Sequence, residues 1–279
     1  MNVKWLIEED VKWVIYDDSL QSLIHEITKQ GMIVKTVKNN IYKKLDYNIF
    51  DNDDCVVFYG SLNLARKLQK QKGWVPGVYC NFKNLYCNIY YSYWAKYLLN
   101  KNYIMLPMMD ILRQKEHIFN NFGVEESIFI RPNSAAKTFT GQLVKYDRLE
   151  KEFELFANYA EMDLDQIIAV ISSPKKIFAE WRCIVVEKKV IAFSQYRKDD
   201  LLKLKREINI DAFYFAEEIA KTDWQPDRAY TLDICKSDDK YYLLEANSFS
   251  CSGLYEAETE PIVREVSRIA LEEWKEYNG

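Results

Sequence analysis

The sequence predicts a mixed α/β and α+β fold, with a small N-terminal α/β domain (residues 1–101) followed by a larger domain (residues 102–279). In the first hundred residues, apolar strand-like runs alternate with helix-like segments, a pattern that favours parallel strands. In the second half, strand-like runs occur in pairs joined by short polar turns, which is typical of antiparallel hairpins. A chain of 279 residues is long enough for two domains.

Composition limits the classes of function. Hydrophobic content of 48% and charged content of 29% are ordinary for a soluble globular protein. A net charge of −4 indicates neither general nucleic-acid binding nor an anionic-membrane surface. No apolar run approaches the roughly 20 residues of a membrane span, and the first residues lack a signal-peptide pattern. Six scattered cysteines with two histidines favour free thiols over a zinc site or disulfides, so we expect a cytoplasmic protein.

The N-terminal domain is predicted from hydrophobic spacing and helix-ending glycines. We predict strands at Val3–Ile7, Val11–Tyr16, Ile33–Val37 and Cys55–Tyr59, and helices at Ser19–Lys29 and Ser61–Gln71. Further helices are expected at Ser92–Leu99 and Pro107–Phe119, on either side of the domain boundary. No glycine-rich phosphate-binding motif is present, and eight glycines in the whole chain argue against a glycine-loop nucleotide site.

A pair of cations follows the first strand of the second half. The strand Ile128–Ile130 leads into Arg131, and Lys137 lies six residues later, beyond a polar loop. Two such cations can clamp a polyphosphate from two sides, and arginine adds a forked donor. The alternative is a solvated turn with two ordinary surface cations. A helix at Glu150–Asn158 and an apolar strand at Gln166–Ser172 are expected next.

A charged hairpin is predicted at residues 178–197, with a two-residue turn at Glu187-Lys188 or Lys188-Lys189. Either turn places one set of residues on a common face, namely Glu180, Arg182, Ile184 and Val186 with Ile191, Phe193, Gln195 and Arg197. Arginines on an inward face need anionic partners, and Glu180 could serve one of them in a purely structural pair. One glutamate cannot fully satisfy both guanidinium groups.

The last predicted hairpin, Tyr230–Cys235 with Tyr241–Ala246, contains oxygen-bearing side chains within an apolar pattern. Glu245 and Asn247 are two residues apart and therefore share one face. Asp233 joins that face only through a loop of three or five residues or a bulge, and we predict the odd-length loop. Two carboxylates and an amide suit Mg²⁺, which prefers oxygen ligands. The alternative is a hairpin whose polar residues face water.

Five segments, taken together in this order, resemble the ATP-grasp domain. They are FIRPNSAAKTFTG, VISSPK, AEWRCIVV, AFSQYR and LDI…LLEANSF, within residues 128–254. The resemblance is to a divergent clade that includes the eukaryotic assembly factor of translation initiation factor 2 and many phage and bacterial relatives. It implies two α+β lobes in residues 102–279 that hold ATP between them.

The resemblance also implies roles for individual residues. Arg131 and Lys137 would contact phosphate, the backbone near Ile171 and Ser172 would contact adenine, Arg182 and Arg197 would line the phosphate and acceptor cleft, and Asp233, Glu245 and Asn247 would hold Mg²⁺. The sequence departs from the family pattern at Asn133–Ala136, where many relatives have a glycine-rich flap.

The function that this resemblance implies is an ADP-forming carboxylate–amine ligase. ATP would activate a carboxylate as an acylphosphate, which an amine then attacks; the substrates are unknown, with proteins and peptides among the candidates. A non-catalytic ATP-binding assembly factor and a kinase-like phosphotransferase are the alternatives. Cys251 is the one tempting nucleophile, but no histidine lies near it in sequence, which favours a structural role.

Overall fold

The computed structural model describes residues 3–11, 19–38, 49–71, 73–160, 163–199, 201–205 and 209–279. Its strands are β1 Lys4–Glu8, β2 Ile33–Val37, β3 Cys55–Tyr59, β4 Val75–Gly77, β5 Tyr103–Pro107, β6 Ser127–Pro132, β7 Gln142–Lys145, β8 Ile168–Ser172, β9 Ala179–Val186, β10 Lys189–Lys198, β11 Leu201–Lys205, β12 Ala229–Ser237 and β13 Lys240–Ser248. Its helices are α1 Ser19–Lys29, α2 Leu62–Gln71, α3 Cys87–Trp94, α4 Met108–Arg113, α5 Lys115–Phe122, α6 Leu149–Ala160, α7 Ile210–Ala220 and α8 Thr259–Asn278.

Two compact units divide the chain: unit 1 comprises residues 1–81 and 178–279, and unit 2 comprises residues 82–177. The first and last parts of the chain fold together because α8 packs against α1, β3 and β4. Their shared core includes Trp5, Phe249 and Ile262, all with 0% exposure. The division by contacts therefore differs from the predicted domains at 1–101 and 102–279, which stay a prediction.

The N-terminal part of unit 1 contains a parallel sheet with strand order β2-β1-β3-β4. The predicted strands Ile33–Val37 and Cys55–Tyr59 and the predicted helix Ser19–Lys29 are confirmed. The Ser61 hydroxyl accepts a hydrogen bond from the backbone N–H of Leu64 at 3.2 Å and so caps α2, which confirms the predicted helix Ser61–Gln71. The predicted strand Val11–Tyr16 lies almost wholly outside the described residues.

Unit 1 also contains an antiparallel sheet with strand order β11-β10-β9-β12-β13. Every residue of β9 is buried, as expected of the central strand. Helix α7 contacts β9, β10, β12 and β13. The hairpins β9–β10 and β12–β13 each close through a two-residue turn. The φ angle is positive at Glu187 and Lys188 in the first turn and at Asp238 and Asp239 in the second. Positive φ at both central residues lets a two-residue turn match the twist of its strands.

Two bulges in β10 make the predicted common face of the first hairpin wrong for Phe193 and Gln195, whereas Arg197 shares a face with Glu180 as predicted. Ile191 and Tyr196 are extra residues that the ladder between β10 and β9 skips. Each extra residue shifts the alternation of side chains by one position. Arg182 consequently lies opposite Ser194, whereas Phe193 and Gln195 lie opposite Cys183 and Trp181.

Unit 2 contains an antiparallel sheet with strand order β5-β8-β6-β7, packed against α4, α5 and α6. The predicted strand at Ile128–Ile130 is confirmed within β6. The predicted helix Ser92–Leu99 overlaps the end of α3 and a 3-10 turn at Ala95–Tyr97, but its bounds are wrong, because α3 begins at Cys87 and Leu98 is extended. Pro107 ends a strand instead of beginning a helix, and the helical segment after it breaks at Gln114. None of the helices in the described part of the chain combines the length and apolar character that a membrane crossing requires.

Candidate active site

A buried ion pair crosses the middle of the antiparallel sheet in unit 1. Arg182 on β9 is the ladder partner of Asp233 on β12, and their exposures are 6% and 1%. Nε of Arg182 donates to Oδ1 of Asp233 and Nη2 donates to Oδ2, both at 2.7 Å. Nη1 donates to the carbonyl oxygen of Gly253 at 3.0 Å. Burial lowers the pKa of Arg182, but the charge and hydrogen bonds of Asp233 outweigh it and raise that pKa well above the ordinary value.

Asp233 of this ion pair lies together with Glu245 and Asn247, the other two predicted metal ligands. Glu245 on β13 is directly opposite Asp233. The Asn247 side-chain amide nitrogen donates to Oε1 of Glu245 at 2.9 Å and to Oδ2 of Asp233 at 3.3 Å. The arrangement is compact and largely buried, with Asn247 at 8% exposure.

One extra residue creates this convergence. The hairpin closes through a two-residue turn at Asp238-Asp239, so the predicted odd-length loop is wrong. The ladder skips Leu244, because Leu243 pairs with Ile234 and Glu245 pairs with Asp233. This bulge reverses the alternation and brings both carboxylates to one face.

The donor set is compatible with a divalent metal ion. No cluster of three or more His, Cys, Asp or Glu side chains suited to a metal occurs among the described residues, so Asn247 has to supply the third ligand. Its oxygen and nitrogen are exchanged by a half-turn of the amide, whose orientation is assigned from hydrogen bonding. With the oxygen turned inward, two carboxylates and one amide oxygen match the preference of Mg²⁺.

Arg197 forms a second, more exposed ion pair on the same sheet. The Tyr196 bulge places Arg197 opposite Glu180, and Nη1 of Arg197 is 3.2 Å from Oε1 of Glu180. Half of the Arg197 side chain is exposed (51%), whereas Glu180 is buried. Glu180 also accepts a hydrogen bond from the Tyr196 hydroxyl. The predicted structural pairing of Glu180 with one arginine is therefore confirmed for Arg197, while Arg182 has its own carboxylate.

Two stacked tyrosines lie beside the buried arginine. The rings of Tyr196 and Tyr255 are 4.8 Å apart at an angle of 13°. The guanidinium carbon of Arg182 is 5.8 Å from the Tyr196 ring centre and 5.1 Å from that of Tyr255. Burial, followed by the charge of Asp233, raises the pKa of Tyr196 well above its ordinary value, so the phenol stays protonated. Sequence reasoning missed Tyr255, which lies in an irregular loop without a periodic pattern.

The loop after β13 contains Cys251. Burial, followed by a hydrogen bond with Cys80, raises the pKa of the Cys251 thiol well above its ordinary value. A protonated thiol is a weak nucleophile, so the environment of Cys251 favours its structural interpretation.

A cavity of about 770 Å³ lies between α1 and the residues that precede α8. Its lining is rich in carboxylates, and the acidic residues are Glu26, Glu256, Glu258 and Glu260. Among the described residues that line it, His25 is the one basic side chain. A triphosphate would be repelled there, so this cavity is not a candidate nucleotide site.

In unit 2, the predicted nucleotide residues lie along β6, β8 and the loop before β7. Arg131 pairs with Val170, and Ile171 pairs with both Ile104 and Ile130 in the middle of the sheet. Ser172 ends β8, and its buried hydroxyl has no hydrogen-bond partner among the residues that the structure describes. Lys137 is exposed and has φ of 50°.

Gly141 lies close to Arg131 in this region. A Cβ atom at Gly141 would be 3.2 Å from Cβ of Arg131 and 3.2 Å from the Phe129 ring. A larger residue would therefore crowd Arg131, which explains a glycine at this position.

The family is established by a match over more than half of the chain. A model of the ATP-grasp domain, R-two-K clade family 2, matches residues 112–264. The chain therefore belongs to this ATP-grasp family, and the predicted superfamily resemblance is confirmed. No curated protein matches the chain.

The chain is also similar in fold to several solved structures. D-alanine–D-alanine ligase from Bacillus anthracis, complexed with ATP, is 16% identical, with a TM-score of 0.63 and 99% of each chain covered. D-cycloserine synthetase DcsG is 11% identical, with a TM-score of 0.62, covering 96% of this chain and 100% of the other. The ATP-grasp ligase PsnB, complexed with minimal precursor, is 11% identical, with a TM-score of 0.56, covering 96% and 99%. At these identities the similarity demonstrates the fold, and the predicted mixed fold class is confirmed.

Proposed function

We propose that this protein is an ATP- and Mg²⁺-dependent ligase that joins a carboxylate to an amine and releases ADP. The observation that carries the proposal is the interlocked set of Asp233, Glu245 and Asn247 beside Arg182, in a chain of the ATP-grasp family. The ligases among the similarly folded structures support the reaction class.

The proposed reaction has two steps. A carboxylate oxygen attacks the γ-phosphorus of ATP, the bond from that phosphorus to the β–γ bridging oxygen breaks, and ADP leaves. The nitrogen of a neutral amine then attacks the carbonyl carbon of the acylphosphate. Phosphate leaves with one of the original carboxylate oxygens, and the nitrogen gives up a proton to yield the amide. Such chemistry depends on positioning and charge neutralisation more than on a protein nucleophile.

In unit 1 we assign the charge-handling roles to the two arginines. Arg182 is fixed by Asp233 and by Gly253, so its positive charge is preorganised without further side-chain ordering. Arg197 is half exposed and can turn part of its guanidinium group towards a phosphoryl oxygen. Asp233, Glu245 and Asn247 would hold Mg²⁺, which when bound supplies charge neutralisation to phosphate oxygens.

In unit 2 we assign nucleotide contacts to four residues. Arg131 and Lys137 are the proposed phosphate contacts, because both carry permanent positive charge. Ile171 and Ser172 are the proposed adenine contacts. The supporting observation is the buried Ser172 hydroxyl, since a polar atom without a partner among the described residues favours a ligand that supplies one.

The test is ADP release in the presence of Mg²⁺, measured with and without panels of carboxylates and amines. The ligase predicts that ADP release requires a carboxylate and that amide accumulates only when an amine is added. Full turnover to a stable phosphorylated product without any amine would indicate the kinase-like alternative. Tight ATP binding with no turnover across both panels would overturn the ligase and favour the assembly factor.

Metal dependence is tested separately by calorimetry of ATP binding. We expect affinity to fall when EDTA removes the divalent ion. Equal affinity with and without EDTA would contradict the metal assignment of Asp233, Glu245 and Asn247 while leaving ATP binding itself intact.

A further inference from the structure

Strand β11 is an exposed edge of the antiparallel sheet in unit 1. In the part of the chain that the structure describes, β11 pairs with β10 alone. Two of its leucines face solvent, with exposures of 69% for Leu201 and 62% for Leu202. An edge strand with exposed apolar side chains is a template for the addition of another strand.

The opposite edge of the same sheet differs. Strand β13, all of which is described, has no large apolar side chain among the strongly exposed ones, and its Leu243 is 1% exposed. Its residues Glu245 and Asn247 belong to the proposed metal site. Of the two edges, β11 is therefore the one with an exposed apolar surface.

The surroundings of β11 are positively charged. Lys198 and Lys203 are exposed, Lys205 is partly exposed, and half of the Arg197 side chain is exposed. In the sequence of residues 197–205, four basic residues outnumber the two acidic residues Asp199 and Asp200. Charge complementarity therefore selects an acidic segment over a neutral or basic one.

The edge is also adjacent to the proposed catalytic arginine. Leu202 is the ladder partner of Arg197, so the two residues lie side by side on neighbouring strands. A strand added outside β11 would lie about 10 Å from β10, because adjacent strands are about 4.8 Å apart. A glutamate on the same face of that strand can reach towards the Arg197 guanidinium group.

We propose that the carboxylate substrate is a side chain of an acidic polypeptide, which docks on β11 as an additional strand. This inference rests on the proposed ligase function and specifies its substrate class. Main-chain hydrogen bonds to β11 supply affinity, Leu201 and Leu202 contact apolar side chains of the segment, and the lysines select acidic residues.

The test uses a short fluorescent peptide of alternating glutamate and valine. One control peptide has lysine in place of glutamate, and another has the acidic sequence with N-methylated main-chain amides, which cannot form the ladder. We expect binding of the first peptide alone, measured by fluorescence anisotropy. Hydrogen exchange should slow at the amides of residues 201–205 when it binds.

Substitutions in β11 and at the start of β13 identify the edge strand to which the peptide binds. Lys203→Glu should weaken peptide binding by about tenfold, because an attractive charge becomes repulsive. Lys240→Glu makes the same change at the turn that begins β13 and should leave binding unchanged. Leu202→Asp is a second variant at an exposed position and should also weaken binding. Circular dichroism and melting temperature establish that each variant is folded.

The outcomes separate this inference from the proposed function. ADP release with small carboxylates, without peptide binding at β11, would overturn the docking inference and leave the ligase intact. Peptide protection at β11 without ADP release from any carboxylate would contradict the ligase. A dimer of the parent protein that Leu202→Asp dissociates would show a second copy of the chain on β11 and overturn the peptide assignment.

Discussion

The candidate site residues of the two units differ in how they are held. In unit 1, Arg182, Asp233 and Asn247 are buried and hydrogen-bonded to one another. In unit 2, Lys137 is exposed on a loop and Arg131 is half-buried. Substitutions of these buried residues of unit 1 should therefore alter stability and function together, whereas substitution of the exposed Lys137 should alter nucleotide binding alone.

Deletion of Leu244 is expected to have the largest effect. Without the bulge, Asp233 and Glu245 can no longer share a face while the turn at Asp238-Asp239 is kept. We expect loss of metal-dependent ATP binding in calorimetry, together with a lower melting temperature. Leu244→Ala keeps the bulge and should keep metal dependence. A deletion variant that still binds ATP in a metal-dependent manner would refute this account of the site.

Asp233→Ala leaves the buried Arg182 guanidinium without its carboxylate. Breaking a buried ion pair from one side costs about 3–5 kcal/mol in the free energy of unfolding, and urea denaturation should measure that loss. Asp239→Asn is the control, because Asp239 pairs with Lys236 in an exposed turn and asparagine tolerates the positive φ of this position, so stability should change little. Equal effects of the two substitutions would show that burial does not distinguish the two pairs.

Arg197→Lys tests for a catalytic residue that contributes little to stability. Lysine keeps the charge but loses the planar fork, so we expect turnover to fall by about two orders of magnitude. The half-exposed pair with Glu180 should contribute no more than about 1 kcal/mol to stability. Turnover, ATP affinity and melting temperature should be measured on the same variant. Unchanged turnover with a lowered melting temperature would assign Arg197 a structural role.

Lys137→Ala tests whether a site residue of unit 2 affects ATP binding without affecting stability. Removal of an exposed phosphate contact should weaken ATP binding by roughly tenfold. The melting temperature without ATP should stay close to that of the parent, since a loop lysine contributes little packing. A collapse in stability without nucleotide would instead make Lys137 a structural residue.

A further prediction concerns how the stability of unit 1 depends on pH. Burial raises the pKa of Asp227 from 3.8 to about 7, although its carboxylate accepts hydrogen bonds from the backbone N–H groups of Asn81 and Arg228. The folded state therefore binds more protons than the unfolded state between about pH 4 and 7, and stability falls as pH rises through that range. Asp227→Asn should flatten this dependence in thermal melts. Burial also raises the pKa of Glu273, which should leave a residual slope of the same sign.

Sequence reasoning identified elements whose signal is local. The helix Ser19–Lys29 has regular apolar spacing, and the strand Cys55–Tyr59 is a continuous apolar run. It missed β7, a four-residue strand with two apolar residues, and β5, a short apolar run that ends at a proline. A proline such as Pro107 is also common at the start of a helix, and only the pairing of β5 with β8 assigns it to a strand.

The residue types of the candidate site were predictable from the sequence, but the strand pairing and the faces on which the side chains lie were not. Residue types and order pointed to Asp233, Glu245 and Asn247, and the structure brings them together. The partner of Arg182 was not predicted, because pairing between β9 and β12 joins strands that are far apart in sequence. The bulges were equally inaccessible, since the extra Leu244 looks like any other strand leucine until both neighbouring registers are known.

These bulges have a consequence for the comparison of relatives. A substitution within β10 or β13 leaves every other side chain on its own face of the sheet. A one-residue gap instead moves all later side chains of that strand to the opposite face. Two homologous chains can therefore share each charged residue and still differ in their chemistry. The spacing from Asp233 to Asn247 is part of the site, and an alignment gap inside it should be treated as a change of function.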